Sequence, residues 1–396
     1  MNNLINSFNK LKHYCEEENF AGWDPYDGLN SKIFKATPLK HWDIARLVMI
    51  QGFKRSPINF RKLLLVPKQH NAKGIGLFLN GYCNLYKLVE KGDTRFGSQE
   101  EILSRIEELA DLLLKMQNKD YSGACWGYNF DWQARRLFLF PADTPTVVAT
   151  SFCVTALLNA YEITKNQSYL DTALSAGNFV LNDLNRTEYK SGFLFSYSPL
   201  NGNNTVFNAS LLGAKVLSQL YRYNNNELYK DTATTAIKAA VEAQNKDGSW
   251  VYGMLSVQSW IDSFHTGYNL DAIQTYQDKT GDTQFKESIE KGFKYYMENF
   301  FLEDGTPKYY HDKTYPIDIH CPGQLFVNLS VNKKYEENKD LAHSVFNWVT
   351  KNMQDKKGYF YYQLKEGVSS KIPYMRWSNA FMFNALSYLL VEENEL

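Results

Sequence analysis

Gln244-Asn-Lys-Asp-Gly-Ser-Trp250 and Gln354-Asp-Lys-Lys-Gly-Tyr-Phe360 share one pattern: a glutamine, three residues, a glycine, one residue and an aromatic ring. Gln117 to Trp126 repeats it with extra residues, and looser versions are Ser122-Gly-Ala-Cys-Trp-Gly-Tyr128, Ser191-Gly-Phe-Leu-Phe-Ser-Tyr197 and Asp304-Gly-Thr-Pro-Lys-Tyr-Tyr310. The glycines Gly123, Gly192, Gly248, Gly305 and Gly358 are 69, 56, 57 and 53 residues apart. A marker returning at so even an interval signals a structural repeat, in which each unit buries its apolar face on the next.

Two helical stretches separate successive markers. After Gly123, residues 144–164 are small and apolar almost all round, which predicts a buried helix. Residues 167–184 place Leu170, Ala173, Leu174, Gly177, Val180, Leu181 and Leu184 at the amphipathic helical period, which predicts a one-sided outer helix. Ile102, Leu103, Ile106, Leu109, Leu113 and Met116 form a similar face, as do Phe285, Ile289, Phe293, Tyr296 and Phe300. Residues 207–220 and 377–390 carry small residues on more than one side and read as inner helices. Counting 39–53 and 72–88, the chain supplies six to seven such pairs. Hairpins that each bury one face need neighbours, and the chain shows neither polar capping repeats nor a dividing linker. The expectation is therefore all-α: one α/α toroid domain over 1–396, with 5–18 closing the ring against the last inner helix.

Composition bounds the function. Lys+Arg and Asp+Glu number 43 each, so no net field draws in nucleic acid or an anionic membrane surface. No run approaches a membrane span, the opening residues lack a secretory apolar stretch, and Cys15, Cys83, Cys125, Cys153 and Cys321 are scattered like reduced thiols. These features predict a cytoplasmic protein. The 15% aromatic content supplies core-filling surface and flat platforms for sugar rings.

The repeated Gln-to-aromatic turn resembles the QW-type turn of α/α toroids such as terpene cyclases and protein prenyltransferases. In those families the glutamine caps the next helix and the aromatic wedges between pairs, so the resemblance implies fold more than chemistry. Their acidic signature is missing, since there is no DxDD and Asp143-Thr-Pro-Thr146 is a faint likeness only. Gly22-Trp-Asp-Pro-Tyr-Asp-Gly-Leu-Asn30 and Gln69-His-Asn-Ala-Lys-Gly-Ile-Gly76, with the repeat layout, are similar to proteins of bacterial capsule and exopolysaccharide loci, the VpsJ type. That similarity implies a role in polysaccharide biosynthesis. Glucuronyl C5-epimerases, unsaturated glucuronyl hydrolases and N-acylglucosamine epimerases share the toroid, and fold alone does not choose among them.

In such a ring the loops leading into inner helices line one mouth, so their polar residues can converge on a ligand. His70, His265, His311 and His320 lie in such loops. The densest group is Trp260-Ile-Asp-Ser-Phe-His-Thr-Gly-Tyr268, where Asp262 stands three residues before His265 and can orient it as a base, or can simply cap the helix. Tyr268 and Tyr310 are the candidate assisting groups. Candidate binding residues are Trp126, Tyr128, Asp131, Trp132, Arg135 and Arg136 in the longest marker loop, with Trp250, Trp260, His311, Asp312, His320, Arg376 and Trp377. Arginine suits a carboxylate clamp and tryptophan suits stacking on a sugar face.

No metal site is expected. Cys125, His320 and Cys321 are similar to the zinc set of lanthionine cyclases, but the order is reversed and a second neighbouring cysteine is missing. There is no GxGxxG, P-loop or GxSxG, and Gly74-Ile-Gly76 lacks a third glycine, so chemistry without a cofactor is expected. The favoured reading is a saccharide-acting enzyme: His265 is the base, and the substrate is a uronate-type saccharide held by Arg135, Arg136 or Arg376. A hydrolase would instead draw two carboxylates from Asp131, Asp262 and Asp312. Terpene-cyclase-like chemistry and noncatalytic glycan binding are the alternatives.

Overall fold

The computed structural model describes residues 1–133 and 139–394. Its helices are α1 (Asn2–Glu17), α2 (Lys32–Lys35), α3 (Asp43–Arg55), α4 (Ala72–Glu90), α5 (Gln99–Met116), α6 (Val147–Thr164), α7 (Gln167–Asn178), α8 (Phe207–Asn224), α9 (Glu227–Val241), α10 (Ser263–Thr280), α11 (Lys286–Phe300), α12 (His320–Val331), α13 (Lys339–Met353) and α14 (Phe381–Asn394). Inner helices α4, α6, α8, α10, α12 and α14 each pack on the next, and α14 returns to pack on α4. That last contact closes the ring and excludes an open solenoid. Outer helices α5, α7, α9, α11 and α13 pack on the inner helix before them, and α1 packs on α14 as the sixth. The protein is thus an α/α toroid of six pairs.

The inner and outer helices differ as their sequences dictate. In α5 the buried residues are Ile102, Ile106, Leu109, Ala110 and Leu113, one face of a helix held at its start by a Ser98–Glu101 capping box. In α6, buried residues run all round, from Val147 to Ala160, because α4 and α8 flank it. Among the described residues α6 is the one helix apolar and long enough to cross a bilayer, and that character reflects its place inside the ring. The segment 39–53, counted as part of the repeat by its sequence, is not a ring member. It forms α3, which buries only Ile50 and Phe53 and packs on Asp27–Asn30 and Trp132–Gln133, outside the ring. A helix between ring neighbours would have to bury far more.

The marker loops bind each pair to the next. A Cβ on Gly123, Gly192, Gly248, Gly305 or Gly358 would lie 1.9, 2.2, 2.3, 2.4 or 2.2 Å from the carbonyl oxygen of Ser175, Thr235, Lys291, Ser344 or Lys10, each in the outer helix of the following pair. Gln244 Nε2 donates to the Ser288 carbonyl at 3.0 Å, and its Oε1 accepts from the Ser288 hydroxyl at 2.7 Å. Gln354 makes the same two bonds to Ser7, at 2.9 and 2.7 Å, which fixes α1 as the following outer helix. The Trp126 and Trp250 indoles donate to the carbonyls of Leu113 and Ala240 at 2.9 and 3.0 Å. Both rings are buried, so these two expected sugar platforms are wedges between helices.

Gly358→Ala should lower stability by roughly 1–3 kcal/mol, because the added methyl meets the Lys10 carbonyl where φ is already +99°. Gly52→Ala, with nothing within 4 Å, is the control and should not destabilise. Urea denaturation followed by circular dichroism compares them; equal midpoints would show that the marker does not lock the ring closed.

Candidate active site

Asp262 is the N-cap of α10, and its carboxylate does two jobs. Oδ1 accepts the His265 backbone N–H at 3.0 Å, while Oδ2 lies 2.8 Å from His265 Nδ1 and accepts the Trp260 indole N–H at 3.0 Å. The helix-cap and imidazole-orienting readings of the sequence therefore hold together. A carboxylate only accepts, so Nδ1 carries a proton, and in the neutral imidazole it is Nε2 that holds the lone pair. Nε2 has no hydrogen-bond partner among the described residues, and the His265 side chain is 20% exposed while that of Asp262 is fully buried.

One pair further round, Asp318 precedes α12. Its carboxylate accepts from the Trp377 indole at 2.9 Å, from the His320 backbone at 3.1 Å and from Gln363 at 3.2 Å. The His320 ring lies 3.9 Å from Phe381 and 4.4 Å from Trp377. Burial pushes its pKa down to about 4, and Asp318, 3.6 Å from Nδ1, offsets this only partly. The folded state therefore holds His320 neutral while the unfolded chain takes up a proton near pH 6.5. Stability from this group is full above pH 6.5 and is lost as pH falls towards 4, by about 3 kcal/mol in all. Unfolding free energies measured across that range should show this loss in wild type and a flatter profile in His320→Phe; parallel profiles would reject the assignment.

At the start of the last inner helix a π-helical turn, Met375–Ala380, carries Arg376 and Trp377. Arg376 meets Asp24 in a buried fork, Nε to Oδ2 at 2.5 Å and Nη2 to Oδ1 at 2.8 Å. The expected carboxylate clamp is thus already satisfied within the protein, which corrects the sequence reading of Arg376. Its guanidinium also lies over Tyr128, 4.9 Å from the ring centre. Lys73, in the first turn of α4, is buried, donates to the Tyr268 hydroxyl at 3.3 Å and sits 4.2 Å over Phe152. Burial, reinforced by the Arg376 charge, holds its ammonium well below the usual lysine range, and burial pushes the Tyr268 phenol up.

Aromatic rings join these groups into one basin. Tyr252 stacks on Trp260 at 4.5 Å and lies 4.7 Å from His265. Phe264 stands between the two imidazoles, 4.1 Å from His265 and 5.1 Å from His320, with Tyr309 5.5 Å away. Tyr26 reaches in from the segment before α2 to lie 5.7 Å from Trp377, and Tyr128 stacks on Phe130 at 5.5 Å. Beside it a small cleft is lined by Asp24, Asn30, Gln69, Asn71, Asn129 and Arg376.

Of the expected site residues, the fold gathers Tyr128, Trp260, Asp262, His265, Tyr268, His320, Arg376 and Trp377. Others go elsewhere. Asp131 accepts the Ala142 backbone N–H at 2.8 Å, Trp132 packs on Phe140 at 5.2 Å, and Asp312 is exposed. The His311 ring lies against the Ile261 carbonyl at 3.4 Å, His70 bonds the Asn19 carbonyl at 2.8 Å, and the Tyr310 ring meets Tyr309 and the Lys313 ammonium. Of the three carboxylates expected for hydrolysis, only Asp262 is buried beside an imidazole; Asp131 is half-buried on a backbone amide and Asp312 is exposed. Arg135 and Arg136 lie outside the described residues. No three His, Cys, Asp or Glu side chains among the described residues gather to hold a metal ion, and the five cysteines are buried and unpaired.

Sequence reasoning missed Asp24, Lys73, Tyr26, Tyr252 and Phe264 as site residues. Asp24 and Lys73 fall within the two stretches 22–30 and 69–76 already singled out, and the structure pairs those stretches: Gly22 and Gln69 exchange backbone hydrogen bonds of 3.1 Å.

No family model and no curated protein matches the chain. Solved structures do. The chain is similar in fold to cellobiose 2-epimerase from Bacillus thermoamylovorans, at TM-score 0.63 and 14% identity over 99% of this chain and 100% of that one. A sugar epimerase from a ruminal bacterium gives TM-score 0.61 and 15% identity over 82% and 88%. An unsaturated glucuronyl hydrolase specific for heparin gives 0.56 and 14% over 81% and 86%. At these identities the likeness establishes the toroid.

Proposed function

We propose that the protein is a carbohydrate epimerase or isomerase that moves a proton at carbon through His265. The observation that carries this reading is the imidazole whose Nδ1–H is held by Asp262 at 2.8 Å, leaving Nε2 as a lone-pair base inside an aromatic basin. Proton abstraction next to a carbonyl or carboxylate needs a base of pKa near 7 and a donor to the developing oxyanion. Tyr268, one turn along α10 with its ring 6.0 Å from His265, is the donor in this proposal, and Lys73 holds its hydroxyl in place with a hydrogen bond of 3.3 Å. Tyr252, Trp260 and Trp377 offer sugar-stacking faces. The names of the structural neighbours, two of them epimerases, support the reaction class.

A uronate substrate requires a cation for its carboxylate. Since Arg376 is taken by Asp24, that task falls in this proposal to Arg135 and Arg136, and a neutral sugar needs no such clamp. In this proposal the activity belongs to capsule or exopolysaccharide biosynthesis, a role supported by the resemblance of residues 22–30 and 69–76. The roles assigned to His265, Tyr268 and Lys73 use only these side chains. Neutral and uronate-containing oligosaccharides incubated with the protein in deuterated water should acquire one carbon-bound deuterium per turnover, read by mass spectrometry. Bond cleavage without deuterium at carbon would overturn the proposal in favour of a hydrolase.

A further inference from the structure

The excursion between α1 and α4 carries a charge and an apolar surface unlike the rest of the molecule. Residues 32–68 hold nine cations, Lys32, Lys35, Lys40, Arg46, Lys54, Arg55, Arg61, Lys62 and Lys68, against one carboxylate, Asp43, in a chain whose charges balance only as a whole. The fold uses some of them: Arg61 is buried against Asp27 at 2.7 Å and ties the excursion down, Arg46 pairs with Asp43, and Lys68 pairs with Glu18. Lys32, Lys35, Lys40, Arg55 and Lys62 are exposed and have no carboxylate partner among the described residues.

Interleaved with these cations is the main concentration of exposed apolar side chains. Trp42 is 67% exposed, Ile44 70%, Val48 63%, Ile58 61%, Leu63 72% and Leu65 53%. Ile44 and Val48 lie one turn apart on α3, away from Ile50 and Phe53, which face the protein. Exposed apolar side chains concentrated in one segment mark an interaction site. We propose that it docks the protein on an anionic lipid bilayer, with Trp42, Ile44, Val48 and Leu63 entering the interface and the five cations meeting lipid headgroups. A bilayer offers both complements in one plane, an apolar interior beneath negative charge. A two-fold dimer through the same face would set the patch against its own copy and bring ten unpaired cations together, which opposes it. This inference is independent of the chemistry assigned to His265.

Vesicle flotation with the full chain tests it. Phosphatidylcholine vesicles containing phosphatidylglycerol should carry the protein at low salt and release it at high salt, and pure phosphatidylcholine should carry much less. Each cation removed should weaken partitioning about fivefold, so K35E/K40E/K62E should lose on the order of a hundredfold. Trp42→Ser with Leu63→Ser should cost roughly tenfold or more. All five positions are exposed, and the charge variant tests the proposal on its own should the serine variant misfold. Absence of flotation on the anionic vesicles, undiminished flotation of the charge variant, or a wild-type dimer in sedimentation that the serine variant abolishes would each overturn it.

Discussion

His265→Ala should lower turnover by about 10²–10⁴-fold while leaving the circular-dichroism spectrum and the unfolding midpoint close to wild type. That range is what removing a positioned general base costs, and the imidazole is partly exposed with no partner for its Nε2 among the described residues. Asp262→Asn should also slow turnover, because an amide can offer its N–H to Nδ1 and turn the other tautomer towards the basin. It should cost stability too, by about 1 kcal/mol, since the same carboxylate caps α10. The two readouts separate the roles. Turnover unaffected in His265→Ala would remove the base from the mechanism, whereas a stability loss alone in Asp262→Asn would leave only the cap.

Asp24→Ala should destabilise the protein by about 3–5 kcal/mol, the cost of leaving a buried cation unpaired. Arg376 has little access to water: it is 5% exposed and lies between Asp24 and the Tyr128 and Trp377 rings. Replacing both partners, as Asp24→Asn with Arg376→Met, should recover most of that loss, because no charge is then buried. Urea denaturation of Asp24→Asn, Arg376→Met and the double forms a mutant cycle with a coupling energy of several kcal/mol. A coupling near zero would show that the fork contributes only through packing. The variants also probe access to the basin, because Asp24 belongs to the segment whose Tyr26 reaches over Trp377.

The periodic part of the fold was legible in the order of residues. Repeating glycines, one-sided outer helices and all-round apolar inner helices are local consequences of stacking, and each repeat states them again. Residues 39–53 misled because a helical apolar pattern says that a helix forms and not what covers it; here Ile44 and Val48 face outward. Trp126 and Trp250 misled for the converse reason, since an indole beside a loop glycine has the same sequence signature whether it stacks on a sugar or bonds a helix carbonyl. The balanced total charge likewise concealed the basic excursion, because a sum carries no position.

Asp262 and His265 were readable as a pair because three residues at a helix start leave them little choice of geometry. Asp24 with Arg376 was not: their separation of 352 residues is bridged only by ring closure, which sets the N-terminal segment over the last inner helix. Lys73 with Tyr268, 195 residues apart, meets in the same way, across the lumen from α4 to α10. The sequence by itself thus determined the repeat, the two kinds of helix and the one local dyad, all governed by spacings of a few residues. Only the tertiary structure decided which arginine is paired, which lysine is buried and which aromatics form the basin, because burial and charge pairing depend on what closure brings within a few ångströms.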